Sequence, residues 1–110
     1  MTRWRLNLKL MDSNFFNLLG LARRAGKISW GHDTALNAIK SKKAHLCILA
    51  SDVSERLKNE FRRECTYNGR NTEIIELDKT MDDMKSVIGV KTGVMTIDDE
   101  GFVKSLKKYI

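Results

Sequence analysis

Five consecutive apolar residues, Leu46-Cys47-Ile48-Leu49-Ala50, stand mid-chain between a basic stretch (Lys40, Lys42, Lys43, His45) and the polar pair Ser51-Asp52. An unbroken apolar run of this length is the pattern of a strand covered on both faces. Such a strand needs a layer of structure on each side. The chain supplies amphipathic segments before and after it, so a layered α/β arrangement is the solution open to it. Its 110 residues are enough for one core and one domain.

The flanking segments alternate between the two periodicities. Phe15, Leu18, Leu19 and Ala22 follow helical spacing behind a Ser13 N-cap, and Gly26 is placed to stop that helix. Lys27 to Trp30 alternates polar and apolar like a short half-buried strand. A glycine-led turn at Gly31 opens a helix over 33–41 with Ala35, Ala38 and Ile39 inward. Ser54 caps a helix whose Leu57, Phe61 and Cys65 form one row, opposite Arg56, Glu60, Arg62 and Arg63. Ile74 to Leu77 reads as a strand, and Thr80 opens a helix carrying Met84, Val87 and Ile88. Val94 to Ile97 reads as the last strand. Asp98, Asp99 and Glu100 then suit the positive end of a final helix, with Lys104, Lys107 and Lys108 at its negative end.

This order predicts a three-layer α-β-α sandwich, with helices on both faces of a mixed, mainly parallel sheet of about four strands. There is no proline, repeat or linker to divide it. Residues 13–110 are read as one domain behind a basic N-terminal extension, 1–12. In that extension Trp4, Leu6, Leu8 and Leu10 alternate with Arg3, Arg5, Asn7 and Lys9, which suits an edge strand, an RNA-contacting arm or a tail.

Composition narrows the function classes. No apolar run reaches the ~18–20 residues of a membrane span, and no signal-peptide pattern opens the chain, so a cytoplasmic location without membrane association is expected. Cys47 and Cys65 form no CxxC and read as reduced core thiols. The net charge of +6 is unevenly spread. Residues 1–50 carry nine Lys/Arg against Asp12 and Asp33, a net of +7, whereas the remainder is close to neutral. A basic half-chain of this kind attracts phosphates through an ionic-strength-dependent field, or serves as a solvated surface.

Enzymatic readings have little to rest on. His32 beside Asp33 has the composition of an oriented general base, but no nucleophile accompanies it, and Asp33 is more simply a first-turn helix residue. His45 marks the edge of the buried strand. Gly89-Val90-Lys91-Thr92-Gly93 carries a Lys-Thr pair yet lacks the spacing of a phosphate-binding loop. No metal-ligand spacing is present, and no cofactor is expected. Nucleic-acid binding fits better. The stretch Gly31-His32-Asp33-Thr34 offers backbone donors at the positive end of a helix, with small polar side chains to meet base edges. Arg23, Arg24 and Lys27 lead into it as phosphate contacts, and Trp30 is placed either to stack on a base or to pack.

Taken together, Leu19-Gly20-Leu21-Ala22-Arg23-Arg24-Ala25-Gly26-Lys27, then Gly31, Ala38-Ile39-Lys40 and Lys43-Ala44-His45-Leu46-Cys47-Ile48-Leu49-Ala50-Ser51-Asp52-Val53, resemble the kink-turn RNA-binding family. That family is named after the archaeal large-subunit ribosomal protein seven-Ae, and the closest likeness is to its short bacterial, ribosome-associated members. The resemblance spans about residues 13–106. It implies a non-enzymatic α-β-α sandwich that binds structured RNA, ribosomal RNA included. Such proteins insert the start of the second helix at a sharply bent internal loop with sheared G·A pairs, while an apolar loop before the last strand covers a flipped-out base. Irregular RNA opens a groove that a regular A-form duplex closes to side chains.

Residue by residue, Gly26, Lys27 and Gly31 match the first RNA-contacting segment, and Gly89 and Val90 the start of the second. The chain departs from the pattern where many members have Asn-Glu after a small residue: here Asp33-Thr34 follows His32. Where a lysine usually follows on that helix, Asn37 stands. Losing one good base contact costs about 1–3 kcal/mol of discrimination, by analogy with direct readout. Losing one phosphate contact shallows the salt dependence by about one charge. The resulting expectation is a monomeric RNA-binding protein. Arg24 and Lys27 would lie on phosphates and Gly31 would admit close approach. His32 would donate to RNA, Asp33, Thr34 and Asn37 would read base edges, and Gly89, Val90 and Lys91 would close over the bend. The alternative is a protein-interaction module on the same scaffold, for which the altered Asp33, Thr34 and Asn37 speak.

Overall fold

The computed structural model describes residues 12–109. The strand, arm or tail expected for Met1 to Leu10 lies outside the described residues. In chain order the elements are α1 (Asp12–Arg24), β1 (Ile28–Trp30), α2 (His32–Lys40), β2 (Leu46–Leu49) and α3 (Glu55–Thr66), followed by a 3₁₀ turn (Tyr67–Gly69). Then come β3 (Glu73–Glu76), α4 (Met81–Ile88), β4 (Val94–Ile97) and α5 (Glu100–Lys107).

Alternation along each strand divides the core into two layers. Leu46 and Ile48 of β2 and Met95 and Ile97 of β4 point to one face, where they meet Phe15 and Leu19 of α1, Met84 and Ile88 of α4, and Val103 and Leu106 of α5. Cys47, Leu49 and Val94 point the other way, onto Ala35, Ala38 and Ile39 of α2 and Phe61 and Cys65 of α3. The central run is buried at every position, as a strand between two helical layers must be. Burying a side chain of Leu or Ile size contributes about 1.5–3 kcal/mol, so these two layers hold the sandwich together. Cys47 and Cys65 are both buried and free. The neighbouring Cys65 sulfur and burial together push the Cys47 thiol upward, away from thiolate character.

The sheet order is β1-β4-β2-β3. Here the expectation of a mainly parallel sheet is corrected: only β2 and β3 run parallel, and β4 is antiparallel to both β1 and β2. Leu49 pairs with Glu76 on one side and with Val94 on the other. The chain therefore leaves β3 and enters β4 at the same end of the sheet, which reverses the last strand. Crossover helices are visible as sequence patterns, but the slot a strand takes is a long-range choice. As a result the ends of β1, β2 and β3 and the start of β4 gather at one end, with the connections around Gly31, Asp52, Thr80 and Thr92.

Local chemistry sets the joints. Lys27 N donates to Ala22 O at 2.9 Å and Gly26 N to Arg23 O at 3.0 Å, a Schellman closure of α1 with Gly26 at φ 72°. Ser54 Oγ caps α3 by accepting from Leu57 N. Thr80 and Asp83 form a reciprocal capping box on α4, and Asp99 caps α5 through Phe102 N at 2.9 Å. Asp98 corrects an expectation, because it does not serve the dipole of α5. Its carboxylate is only 3% exposed, accepts from Ser29 Oγ at 2.5 Å and Thr96 Oγ1 at 2.8 Å, and lies 3.8 Å from Lys43 Nζ. A buried carboxylate needs such donors, and the antiparallel β1–β4 pairing brings them.

Candidate nucleic-acid interface

The turn from β1 into α2 is built on Gly31, at φ 93° and ψ 156°. Residues with a Cβ rarely take this positive φ, so glycine is required by the backbone rather than by crowding. The Gly31 amide is not available to a ligand, as it was expected to be. It donates to Thr92 Oγ1 and to Val94 O, each at 3.1 Å, while Gly31 O accepts from Ala35 N at 2.9 Å. The free donors instead belong to the first turn of α2. That turn has no side-chain cap, unlike those of α3, α4 and α5. It therefore presents an open, partly positive helix end to solvent.

His32 begins this helix and is held from both sides. Its Nδ1 lies 3.0 Å from Asp33 Oδ1 and its Nε2 lies 2.9 Å from Glu60 Oε1 of α3. The ring meets Phe61 edge-on, with centroids 5.5 Å apart. Two carboxylates facing the two ring nitrogens favour the imidazolium, which alone donates to both. The Glu60 hydrogen bond, and after it the Asp33 one, raises the His32 pKa above its ordinary value of 6.5. The ring is therefore engaged in joining α2 to α3, where a donor to RNA was expected. Glu60, read from the sequence as part of a solvated face, is the partner that sequence alone did not identify. No spacing rule links positions 32 and 60.

Beyond His32, the carboxylate of Asp33 is 99% exposed, and Thr34 and Asn37 also face solvent. With Ser29, Ser41 and Lys43 they line a hollow of about 420 Å³ between α2 and the edge strand β1. Arg24, Gly26 and Lys27 are exposed too. Lys27 O accepts from Asp98 N at 2.8 Å, so Lys27 and Gly31 stand at opposite ends of the three-residue strand.

The second segment meets the first. Gly89 closes α4 in the left-handed conformation, φ 88°, with an Arg23 guanidinium nitrogen 3.4 Å from where a Cβ would stand. Val90 is 8% exposed and belongs to the core, so its side chain anchors the loop beneath the surface. Lys91 is exposed and pairs with Asp82 at 3.1 Å. Thr92 is buried. Its hydroxyl donates to Val94 O at 2.7 Å and accepts from Gly31 N, which ties the two loops together. Gly93 has no room for a side chain, since a Cβ would lie 2.4 Å from Val53 Cγ1. From the sequence Thr92 and Gly93 are read only as members of the surface loop at 89–93, because the partners that give each its role come from other elements.

Between the two loops lies a groove of about 470 Å³ floored by Trp30, Val53, Leu57, Met81 and Val94 and rimmed by His32, Asp52, Lys91 and Thr92. Trp30 is 44% exposed, so it is a groove wall rather than a core residue. The groove joins an aromatic face to an open helix end and a lysine, a combination that can receive an unstacked base beside a phosphate. Among the described residues no group of His, Cys, Asp and Glu is disposed to hold a metal ion, and no helix is long and apolar enough to cross a membrane.

Residues 13–106 match the model of the ribosomal protein L7Ae/L30e/S12e/Gadd45 family. The RNA-binding protein YlxQ of Enterococcus faecium is 33% identical over 94 residues, covering 86% of this chain and 88% of its own. Its namesake from Bacillus subtilis (strain 168) is 29% identical over 97 residues, covering 84% and 90%. Among solved structures, a Bacillus halodurans C protein of unknown function superposes with a TM-score of 0.77 at 24% identity, over 88% of this chain and 96% of that one. The Giardia lamblia 15.5kD RNA binding protein superposes with a TM-score of 0.70 at 18% identity, over 97% and 84%. These two likenesses concern the fold.

Proposed function

We propose, from the premise that this chain belongs to the ribosomal protein L7Ae/L30e/S12e/Gadd45 family, that it is a non-enzymatic RNA-binding protein of kink-turn type. Two homologues named as RNA-binding proteins align over most of its length. The observation that carries the reading is the clamp from Thr92 to Gly31, which sets an uncapped helix end beside an apolar groove with an exposed tryptophan. A sharply bent RNA presents the matching features: widened base edges, an unstacked nucleotide and closely spaced phosphates.

In this reading the first-turn amides of α2 and the Thr34 and Asn37 side chains meet base edges, and Gly31 admits the close approach. The Asp33 carboxylate shares the charge of the His32 imidazolium, which tempers its repulsion of phosphate. Lys91 closes over the bend, with Gly89 shaping the loop and Val90 rooting it in the core. Arg24 and Lys27 lie on phosphates of the flanking stem, and ribosomal RNA is the natural class of target for a monomer of this kind.

The test is affinity for a kink-turn RNA and for a matched straight duplex, each at two salt concentrations. Preference for the kink-turn that survives added salt supports shape recognition at the Gly31 end. Equal and steeply salt-sensitive binding to both RNAs overturns it and leaves only a basic surface.

A further inference from the structure

At the far end of the sheet from Gly31, a second polar hollow of about 210 Å³ is lined by Lys42, Ala44, His45, Gly69, Arg70, Asn71 and Thr72. Its chemistry is that of an oxyanion receptor: two cations, a histidine and an amide, while the Thr72 hydroxyl on its wall donates to Ala44 O at 3.5 Å. Arg70 is 11% exposed and rigidly held. Its Nη1 donates to Glu64 O at 3.0 Å and Glu64 Oε1 at 3.1 Å, and its guanidinium lies 5.6 Å from the centre of the Tyr67 ring. Its Nε is buried and finds no acceptor among the described residues. The guanidinium charge is already met by Glu64, and its buried Nε is a remaining donor that an acceptor oxygen would satisfy.

Lys42 points to the same ligand. Lys43 N donates to Ala38 O and Lys42 N to Ile39 O, the closure seen at the end of α1, but the left-handed position is held here by a lysine at φ 63°. At the end of α1 that position is glycine. A lysine kept in a conformation that favours glycine places a cation at the rim of the hollow at a backbone cost. The other charges nearby are engaged: Glu64 with Arg70, Glu73 with Lys107, and Lys43 near Asp98.

We propose that this hollow holds a phosphodiester group of the bound RNA's flanking stem, a second contact remote from the bend. It rests on the RNA-binding reading above. The hollow is smaller than the ~300–1,000 Å³ of pockets that enclose whole ligands, so it suits one phosphate of a molecule that otherwise stays outside. The nine-residue helix α2 joins the two sites, and its exposed Asp33, Thr34, Asn37 and Lys40 trace the path between them.

Two measurements test this on the full chain. Inorganic phosphate, titrated against the ¹⁵N-labelled protein, shifts the amides of His45, Asn71 and Thr72 saturably, and Lys42→Gly weakens that binding at least about threefold. Glycine is compatible with the backbone at position 42, so this variant removes the charge without unfolding the protein. Absent or non-saturable shifts, or shifts that Lys42→Gly leaves unchanged, overturn the site. In the second arm, lengthening the flanking stem of a kink-turn RNA by a helical turn strengthens wild-type binding several-fold. Lys42→Gly and His45→Gln abolish that gain and leave short-stem affinity unchanged. Phosphate binding without a stem-dependent gain means a different phosphate-bearing partner, such as a phosphoprotein, and overturns the RNA assignment. Thr34→Val separates the two readings. If it leaves discrimination at the bend unaltered while Lys42→Gly still removes the stem gain, the bend reading falls and the hollow stands.

Discussion

The hydroxyl of Thr92 accepts a hydrogen bond from the amide of Gly31 at 3.1 Å, across 61 residues of sequence. The same hydroxyl donates to Val94 O at 2.7 Å, so one buried side chain fixes the start of α2 against the start of β4. Together with the direct Gly31 N to Val94 O bond, it sets the spatial relation of the two candidate RNA-contacting loops.

Replacing Thr92 with Val keeps the shape and deletes the clamp. Net stability should fall by about 0.5–1.5 kcal/mol, since the Gly31 amide retains Val94 O as an acceptor. RNA affinity should fall further than stability explains, because the two loops keep only the Gly31 N to Val94 O bond of the ties that set their relative position. Urea unfolding and RNA titration of Thr92→Val and Thr92→Ser check this; Ser should restore both.

Gly31→Ala and Gly93→Ala should each destabilise by about 1–3 kcal/mol, for different reasons. At Gly31 the cost is the positive φ, as no atom would crowd the new Cβ. At Gly93 it is the collision with Val53. Adding Val53→Ala should therefore recover much of the loss in Gly93→Ala and none of it in Gly31→Ala. A double-mutant cycle on denaturation midpoints reads the difference.

His32 gives the stability a pH dependence of definite sign. Its pKa is raised in the folded protein by Glu60 and then Asp33, so its contribution is fully present below the unfolded value of about 6.5. That contribution is lost as pH rises through the higher folded value. The stability advantage of wild type over His32→Gln should be larger at pH 6 than at pH 8.5. Glu60→Gln should lower the His32 pKa in an NMR titration and shrink the difference. An advantage that grows towards pH 8.5 would contradict the His32–Glu60 pairing.

Trp30→Ala should weaken RNA binding by about 1–3 kcal/mol, the range for loss of an aromatic stacking surface. Trp30 is 44% exposed, so more than half of it is covered and the unfolding midpoint should fall as well; binding is compared at a temperature where both proteins are folded. In a Trp4→Phe background, RNA should quench the remaining tryptophan fluorescence. No quenching alongside tight binding would place the RNA away from the groove.

Most of the secondary structure was legible in the chain, because its signals are local. The Gly26 stop, the Ser54 and Thr80 caps and the apolar rows of α2 and α3 all act within a few residues, and each element formed within a residue or two of its expected bounds. The continuous run Leu46 to Leu49 fixed a strand between two helical layers. The candidate loops around Gly31 and Gly89 were also visible, through their glycines and the charges that precede them. Strand order was not, since patterning states which face of a strand is buried and not which neighbour it pairs with. Tertiary structure alone set β4 between β1 and β2, and that choice determined the rest. It brought Thr92 to Gly31, buried Asp98 against Ser29 and Thr96, and drew the Val90 side chain into the core. The packing of α3 against α2 likewise turned Glu60 towards His32, and the turn after α3 placed Arg70 beside Lys42. Periodicity and capping are properties of neighbouring residues, whereas hydrogen-bond partners of buried or half-buried polar groups are chosen by packing between distant ones.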